Sequence, residues 1–312
     1  MEQKIIYEIK SIYRDDLRIM GYEFGQGKNS VCIVGSMRGN EVQQLYVCSQ
    51  LVKRFKKLEA EGKLREGHKI LVIPSINPYS MNIKKRFWPT DNTDINRMFP
   101  SYDLGETTQR IAAGVFDAIK DFTYGMQFTS FYMPGKFTPH IRMMKAGYEN
   151  VELAKEFGMP YVVLRHIRPY DTTTLNYNWQ VWETNAFSIY TTTTTQIDKE
   201  SAAMAVRSVL NFLDKEGIAE YHGHEGYLSL VVEDTDMVSV RTKAAGIFES
   251  RVQVGEEISK GQLLAQILDP YEGEVLQELF SPVDGLVFFA HDEPLTYANT
   301  AVYKLIRHEE EG

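Results

Sequence analysis

As far as about residue 217, apolar strand-like runs alternate with stripes of apolar side chains at helical spacing. The strand candidates are Ser30 to Gly35, Lys69 to Pro74, Phe122 to Phe131, Tyr161 to Arg165 and Ala186 to Tyr190. Between them, Leu45, Cys48, Val52 and Phe55 fall on one helical stripe, as do Ile111, Val115 and Ala118. A late helix carries Ala202, Val206, Val209 and Leu213, is stopped by Gly217 and takes its cap from Thr195 or Asp198. This alternation predicts an α/β fold, with a mostly parallel or mixed sheet flanked by helices. From about Tyr227 the helical period disappears, and short β-rich runs are separated by Gly, Pro and Asp turns. The expected division is an α/β domain over 1–222 and an all-β domain over 223–312.

Composition narrows the partners. The chain has 312 residues, enough to bury a sizeable core, and a net charge of −8 with both signs interspersed. No Lys/Arg cluster stands out in this reading, so a small molecule or a protein is expected as partner, with no nucleic acid and no membrane. The first residues lack the apolar core of a secretory signal, and no apolar run approaches the roughly 20 residues of a membrane span, which points to the cytoplasm. Cys32 and Cys48 both sit at apolar positions and are expected to be buried thiols. Oligomeric state leaves no mark on the pattern.

The richest local signal is Arg38-Gly39-Asn40-Glu41, a turn between the first apolar strand and an amphipathic helix. It resembles the H-G-N-E motif of the succinylglutamate desuccinylase/aspartoacylase family of zinc-carboxypeptidase-like hydrolases. A second match, Asn77-Pro78, Arg86-Phe87 and Asp94-Ile95-Asn96-Arg97-Met98-Phe99-Pro100, resembles that family's N-P, R-F and D-x-N-R-x-F-P segment. A third, Pro139-His140-Ile141-Arg142, resembles its P-H-[IV]-R. The β-rich C-terminal region, with Ala244 to Phe248 and Ser281 to Val287 as two similar hairpin entries, resembles the barrel-sandwich fold of biotinyl and lipoyl carriers, which also caps family members. The hairpin tip that would carry a modified lysine reads Asp269 to Glu274, so a structural or gating cap is expected there.

The resemblance implies a zinc held by His, Glu and His, and a Glu that activates water against an amide bond. Here Arg38 stands at the first His, Gln127 at the second, Gly125 at an Asp two residues before it, and Thr191 or Thr192 at the base. Only Glu41 remains. Arginine stays protonated and offers a metal no lone pair, and a carboxamide is a poor zinc donor beside imidazole. An Arg38–Glu41 ion pair is therefore expected in place of the metal, and no cofactor; zinc remains the family cofactor and the alternative. His222-Gly223-His224-Glu225 is a candidate for a displaced metal, and the segment from Tyr170 to Trp179 for either a pocket wall or a lid loop.

Arg86, Asn96 and Arg97 survive intact. Guanidinium forks with an adjacent carboxamide suit a carboxylate. The structural alternative is a local Arg97–Asp94 ion pair that stitches the loop; the family match favours substrate binding. The resulting expectation is a zinc-depleted relative that binds a carboxylate-bearing ligand such as an N-acyl amino acid or a peptide end. The alternative is an active amidohydrolase that cleaves the amide of an N-acyl amino acid with a non-canonical metal site or without metal, using Glu41, Asp94 or Asp171.

Overall fold

The computed structural model describes residues 1–12 and 15–308, which form two compact units: residues 1–12 and 15–130 with 139–231, and residues 131–138 with 232–308. The boundary predicted at 222/223 thus moves to 231/232, and a short excursion after Ser130 joins the second unit. The shift has a local cause: the segment after the last helix continues along Gly158 to Pro160, where the Tyr227 and Leu230 amides donate to the Gly158 and Pro160 carbonyls, before entering the sheet.

In the first unit the elements run β1 (Glu2–Ile9), β2 (Leu17–Gly25), β3 (Gly27–Ser36), α1 (Val42–Ala60), β4 (Gly67–Ser75), α2 (Pro78–Asn82), α3 (Thr107–Ile119) and β5 (Tyr124–Phe128). After β6 (Lys136–Phe137), which belongs to the second unit, come β7 (His140–Met144), α4 (Val151–Lys155), β8 (Tyr161–Arg165), α5 (Leu175–Val181), β9 (Asn185–Tyr190), α6 (Lys199–Lys215) and β10 (Leu230–Glu233). They build one nine-stranded sheet in the order β1-β2-β4-β3-β5-β9-β7-β8-β10. Its centre, β4-β3-β5-β9, is parallel, while β1 and β2 pair antiparallel at one side and β7 runs antiparallel to β9.

Strand periodicity puts successive side chains on opposite faces. Val31 and Ile33 of β3 enter one core with α1 and α6, whereas Cys32 and Val34 enter the other with α3 and α5. Both faces of the central strands are covered, which is why they read as unbroken apolar runs. Helix α1 buries Val47, Cys48, Leu51, Val52, Phe55 and Leu58 along one stripe. Helix α6 is capped by Asp198, whose side chain accepts from the Ser201 amide at 2.7 Å, so Asp198 rather than Thr195 supplies the cap. Both cysteines are fully buried and free, and burial pushes their thiols well above the ordinary range.

The predicted strand at Phe122 to Phe131 is trimmed to Tyr124–Phe128, since Thr129 and Ser130 leave the sheet to approach the site. The hairpin β1–β2 and strand β7 went unread in the pattern. In β1 no residue is buried, so the alternation that marks a half-covered strand is faint.

The second unit holds β11 (Val238–Arg241), β12 (Gly246–Ser250), β13 (Glu257–Ile258), β14 (Leu263–Leu268), β15 (Val275–Phe280), β16 (Gly285–Ala290), β17 (Leu295–Thr296) and β18 (Ala301–Arg307). One sheet runs β11-β18-β16-β13 with β6 paired to β16, and the other β15-β14-β12-β17. Phe248, Ile267, Leu279, Val287, Val302 and Leu305 belong to its core. Among the described residues, no helix is long and apolar enough to cross a membrane.

Candidate functional site

The C-terminal ends of β3, β5 and β9 gather the residues singled out in the sequence. β3 hands over at Ser36 to a tight turn that starts α1, and Ser36 closes this turn by donating its hydroxyl to the Glu41 carbonyl at 2.6 Å. Gly39 has to be glycine: a Cβ there would lie 2.2 Å from the Lys85 carbonyl oxygen and 2.5 Å from Ser80. This close crossing lets the Gly39 amide donate to the Arg86 carbonyl at 2.9 Å, so the two family-like segments are joined through backbone.

Arg38 is the hub. It is buried, and its Nη1 donates to Glu41 Oε1 at 2.9 Å, while Nε and Nη2 both donate to Asp94 Oδ2, at 3.1 and 2.7 Å. Nη1 also lies 3.2 Å from Ser130 Oγ. The expected Arg38–Glu41 ion pair is present, and Asp94 is its unforeseen third member. Burial opposes the charge on the guanidinium, but the two carboxylates more than offset this and hold Arg38 above the usual arginine range.

Glu41 has no free valence. Oε2 accepts from the amides of Met37 at 2.7 Å and Arg38 at 3.1 Å, and Oε1 accepts from Arg38 and from the Ser130 hydroxyl. Two oxygens offer about four acceptor positions, and all four are taken. In this arrangement Glu41 has no acceptor position left over for a metal or a water.

The chain of contacts continues outward. Asp94 Oδ1 accepts from the Asn96 amide at 3.1 Å, and Asn96 Oδ1 accepts from Gln127 Nε2 at 3.3 Å and from the Leu175 amide at 3.4 Å. Gln127, on buried strand β5, thus uses its carboxamide to hold Asn96. Gly125, two residues earlier, faces Trp179: a Cβ there would come within 2.6 Å of the indole, whose Nε1 donates to the Ile119 carbonyl at 3.1 Å. The space beside Gly125 is filled by tryptophan.

Thr191 and Thr192 follow β9. Thr191 is buried and donates to the Thr193 carbonyl at 3.2 Å, and the Thr194 carbonyl accepts from Gln43 near the start of α1. The threonine run is therefore a turn that closes onto α1. His140 is fully buried on β7 with its ring stacked on Tyr190 at 4.7 Å. His222 and His224 are both exposed, and no group of three or more His, Cys, Asp or Glu able to hold a metal occurs among the described residues.

Arg97 departs from the local pairing weighed above. Asp94 turns to Arg38, whereas Arg97 donates Nη1 to the Tyr170 carbonyl at 2.6 Å, lies over the Tyr170 ring and reaches Asp171 at 3.6 Å. Asp171, buried at 3% exposure, is held by Arg165 Nε at 3.2 Å, by Arg165 Nη2 at 3.3 Å and by the Arg168 amide at 3.1 Å. The segment that begins at Tyr170 is thus a wall fixed by arginines. Arg97 and Arg86 are only partly buried, whereas Asn96 is buried at 5% exposure. Next to the Leu175 amide that bonds Asn96, Asn176 is buried at 2% with neither carboxamide atom hydrogen-bonded, and Asn40 Oδ1 in the Arg38 turn is likewise unpartnered.

Zinc does not fit this donor set. The place of the first imidazole is held by a buried guanidinium that already pairs with Glu41 and Asp94, and a cation would have to displace it. Ser130 gave no signal in the sequence. Asp94 did, through the Asp-x-Asn spacing of a short side-chain cap, but its long-range partner could not be read from that.

Comparison with known proteins agrees with the fold. The profile of the succinylglutamate desuccinylase/aspartoacylase catalytic domain matches residues 27–215. An N-alpha-acetyl-L-2,4-diaminobutyric acid deacetylase from Halomonas elongata is 22% identical over 270 residues, covering 78% of this chain and 72% of the relative. Among solved structures, a succinylglutamate desuccinylase/aspartoacylase from Rhodobacter sphaeroides is 21% identical with a TM-score of 0.78, covering 95% of this chain and 91% of that one. A product-bound ectoine utilization protein from Ruegeria pomeroyi is 20% identical with a TM-score of 0.75, covering 93% and 89%.

Proposed function

The chain belongs to the succinylglutamate desuccinylase/aspartoacylase family, and from that premise we propose that it is a zinc-depleted member which binds a small carboxylate-bearing ligand, an N-acyl amino acid or a peptide end. The observation that carries this reading is the Arg38 bridge between Glu41 and Asp94 at the metal position. The guanidinium supplies a positive charge where a zinc would sit, but it is no Lewis acid and cannot coordinate and activate a water.

Arg97, Asn96 and Arg86 are the residues assigned to the ligand. Arg97 offers its carboxylate-shaped fork from a half-exposed position, and Tyr170 fixes its orientation. The unpartnered Asn176 and Asn40 groups favour a polar occupant, since buried amides left unpaired are costly. The second unit is read as a barrel-sandwich domain with a structural role.

A second reading is kept because the Halomonas relative is a deacetylase: an active amidohydrolase with a displaced metal or a metal-free mechanism. Glu41 is poorly suited to the base in such a mechanism, for the reasons of geometry given above.

Calorimetric titration with N-acetyl-L-glutamate and N-acetyl-L-aspartate tests the proposal. Saturable binding is expected, weakened in Arg97→Ala by roughly ten- to a hundredfold, which corresponds to the loss of about 1.5–3 kcal/mol for a charge-assisted contact. Amine release in the same samples should stay at background. Steady release of free amino acid, abolished by Glu41→Gln, would establish the second reading instead.

A further inference from the structure

The net charge of the chain is negative, but the fold gathers a cationic groove. On α1, Gln50, Lys53, Arg54 and Lys57 recur at spacings of three and four, and so share one face. Lys199 and Arg207 of α6 line the opposite side. Together they border a groove of about 520 Å3, within the range of small-molecule sites, and no carboxylate is among the residues that line it. One half is a basic run in the sequence, Lys53-Arg54-Phe55-Lys56-Lys57, and the other comes from a helix more than a hundred residues away, so the complete groove exists only in the fold.

Three observations set this groove apart from an ordinary solvated face. Like charges at four-residue spacing, as in Lys53 and Lys57, repel each other, and Lys199 sits in the first turn of α6, where the helix dipole disfavours a cation. Among the described residues, Lys53, Lys199 and Arg207 form no ion pair, and Lys57 reaches Glu61 only at 3.6 Å, although the chain carries 42 acidic residues against 34 basic ones. Arg54 is already positioned, its guanidinium 5.6 Å over the Tyr221 ring, and its Nε is buried without a hydrogen-bond partner.

The groove is not uniformly charged. Ala202 and Ala203 leave room on the α6 side, Val206 and Leu210 give it an apolar floor, and Tyr46 and Tyr221 add aromatic rings. We propose that this groove is a second ligand site, separate from the Arg38 centre, that takes a nucleoside polyphosphate. The phosphates lie against the lysines and Arg207, where each contact is charge-assisted. The base lies against the tyrosines and the apolar floor, which a bare polyphosphate would leave unused.

The test is calorimetric titration of the full chain with ATP, adenosine, inorganic tripolyphosphate and a short oligothymidylate, at low and at moderate salt. ATP should bind with a Kd on the order of 10 µM at low salt and more weakly as salt rises. Adenosine and tripolyphosphate should each bind at least about tenfold more weakly than ATP. The variant Lys53→Glu/Arg207→Glu changes two exposed side chains and should weaken ATP by roughly thirtyfold or more, as expected for two charged contacts. Lys53→Gln/Arg207→Gln provides the same comparison if charge reversal disturbs folding. No heat with ATP at low salt, or unchanged ATP binding in both variants, would overturn the site. Tripolyphosphate binding as tightly as ATP, or the oligothymidylate binding more tightly, would overturn the nucleotide assignment.

Discussion

Replacing Arg38 by alanine is expected to destabilise the protein by about 3–5 kcal/mol, the usual cost of removing one partner from a buried ion pair. Two carboxylates depend on this one guanidinium: Glu41 at 1% exposure and Asp94, whose side chain is 18% exposed. Without Arg38, Glu41 keeps its two backbone amides and Ser130, but its charge has no counter-ion in a site with little water. For a chain of this size the loss corresponds to a fall in Tm on the order of 10 °C, read by differential scanning calorimetry. Neutralising the acids along with the base separates charge from packing. The triple variant Arg38→Met, Glu41→Gln, Asp94→Asn should recover most of the lost stability, because neutral carboxamides are less costly to bury than unpaired carboxylates. A loss below about 1 kcal/mol for Arg38→Ala would place the network among weakly contributing surface pairs.

The second large effect is a gain. Arg38→His combined with Gln127→His should create a zinc site that the proposed reading denies to the unaltered chain, because two imidazoles would then join Glu41, which loses its Arg38 contacts and regains lone pairs. A Kd of about 1 µM or tighter, equivalent to roughly −8 kcal/mol, is expected by competition with a chromogenic chelator. Neither single variant should reach it, since each leaves one imbalance: Arg38→His alone lacks the third donor, and Gln127→His alone retains the cation. The double variant should still hydrolyse no N-acyl amino acid, since the base position holds Thr191, whose hydroxyl is engaged with the Thr193 carbonyl. If the double variant took up no zinc, Gln127 would not occupy the second ligand position.

How much of this was legible in the sequence depended on the distance between partners. The Arg38–Glu41 pair could be read because its members sit three residues apart across one turn. Asp94 could not, because it reaches Arg38 only after β4 and α2 return the chain to the end of β3. Gly125 looked like a lost carboxylate, but the reason for its being glycine is the Trp179 indole, which comes from a helix not yet formed in any local window. The central strands were clear because burial on both faces leaves them uniformly apolar, whereas β1, with no buried residue, carried almost no pattern. The cationic groove was legible only by half: Lys53-Arg54-Phe55-Lys56-Lys57 is a basic run in the sequence, but its second bank joins it only when α1 and α6 pack side by side.

Under the proposed reading the site is converted as a whole: the Arg38 guanidinium takes the cation's position and the threonine turn that of the base. Gln127 braces Asn96, and Trp179 fills the space beside Gly125.

The most direct test of this account is the zinc content of the protein purified from zinc-supplemented culture, measured by inductively coupled plasma mass spectrometry beside a Glu41→Gln control. The account predicts well under about 0.1 zinc per chain in both samples, as expected for a site without a competent donor set. One zinc per chain, lost on substituting Glu41, would contradict it.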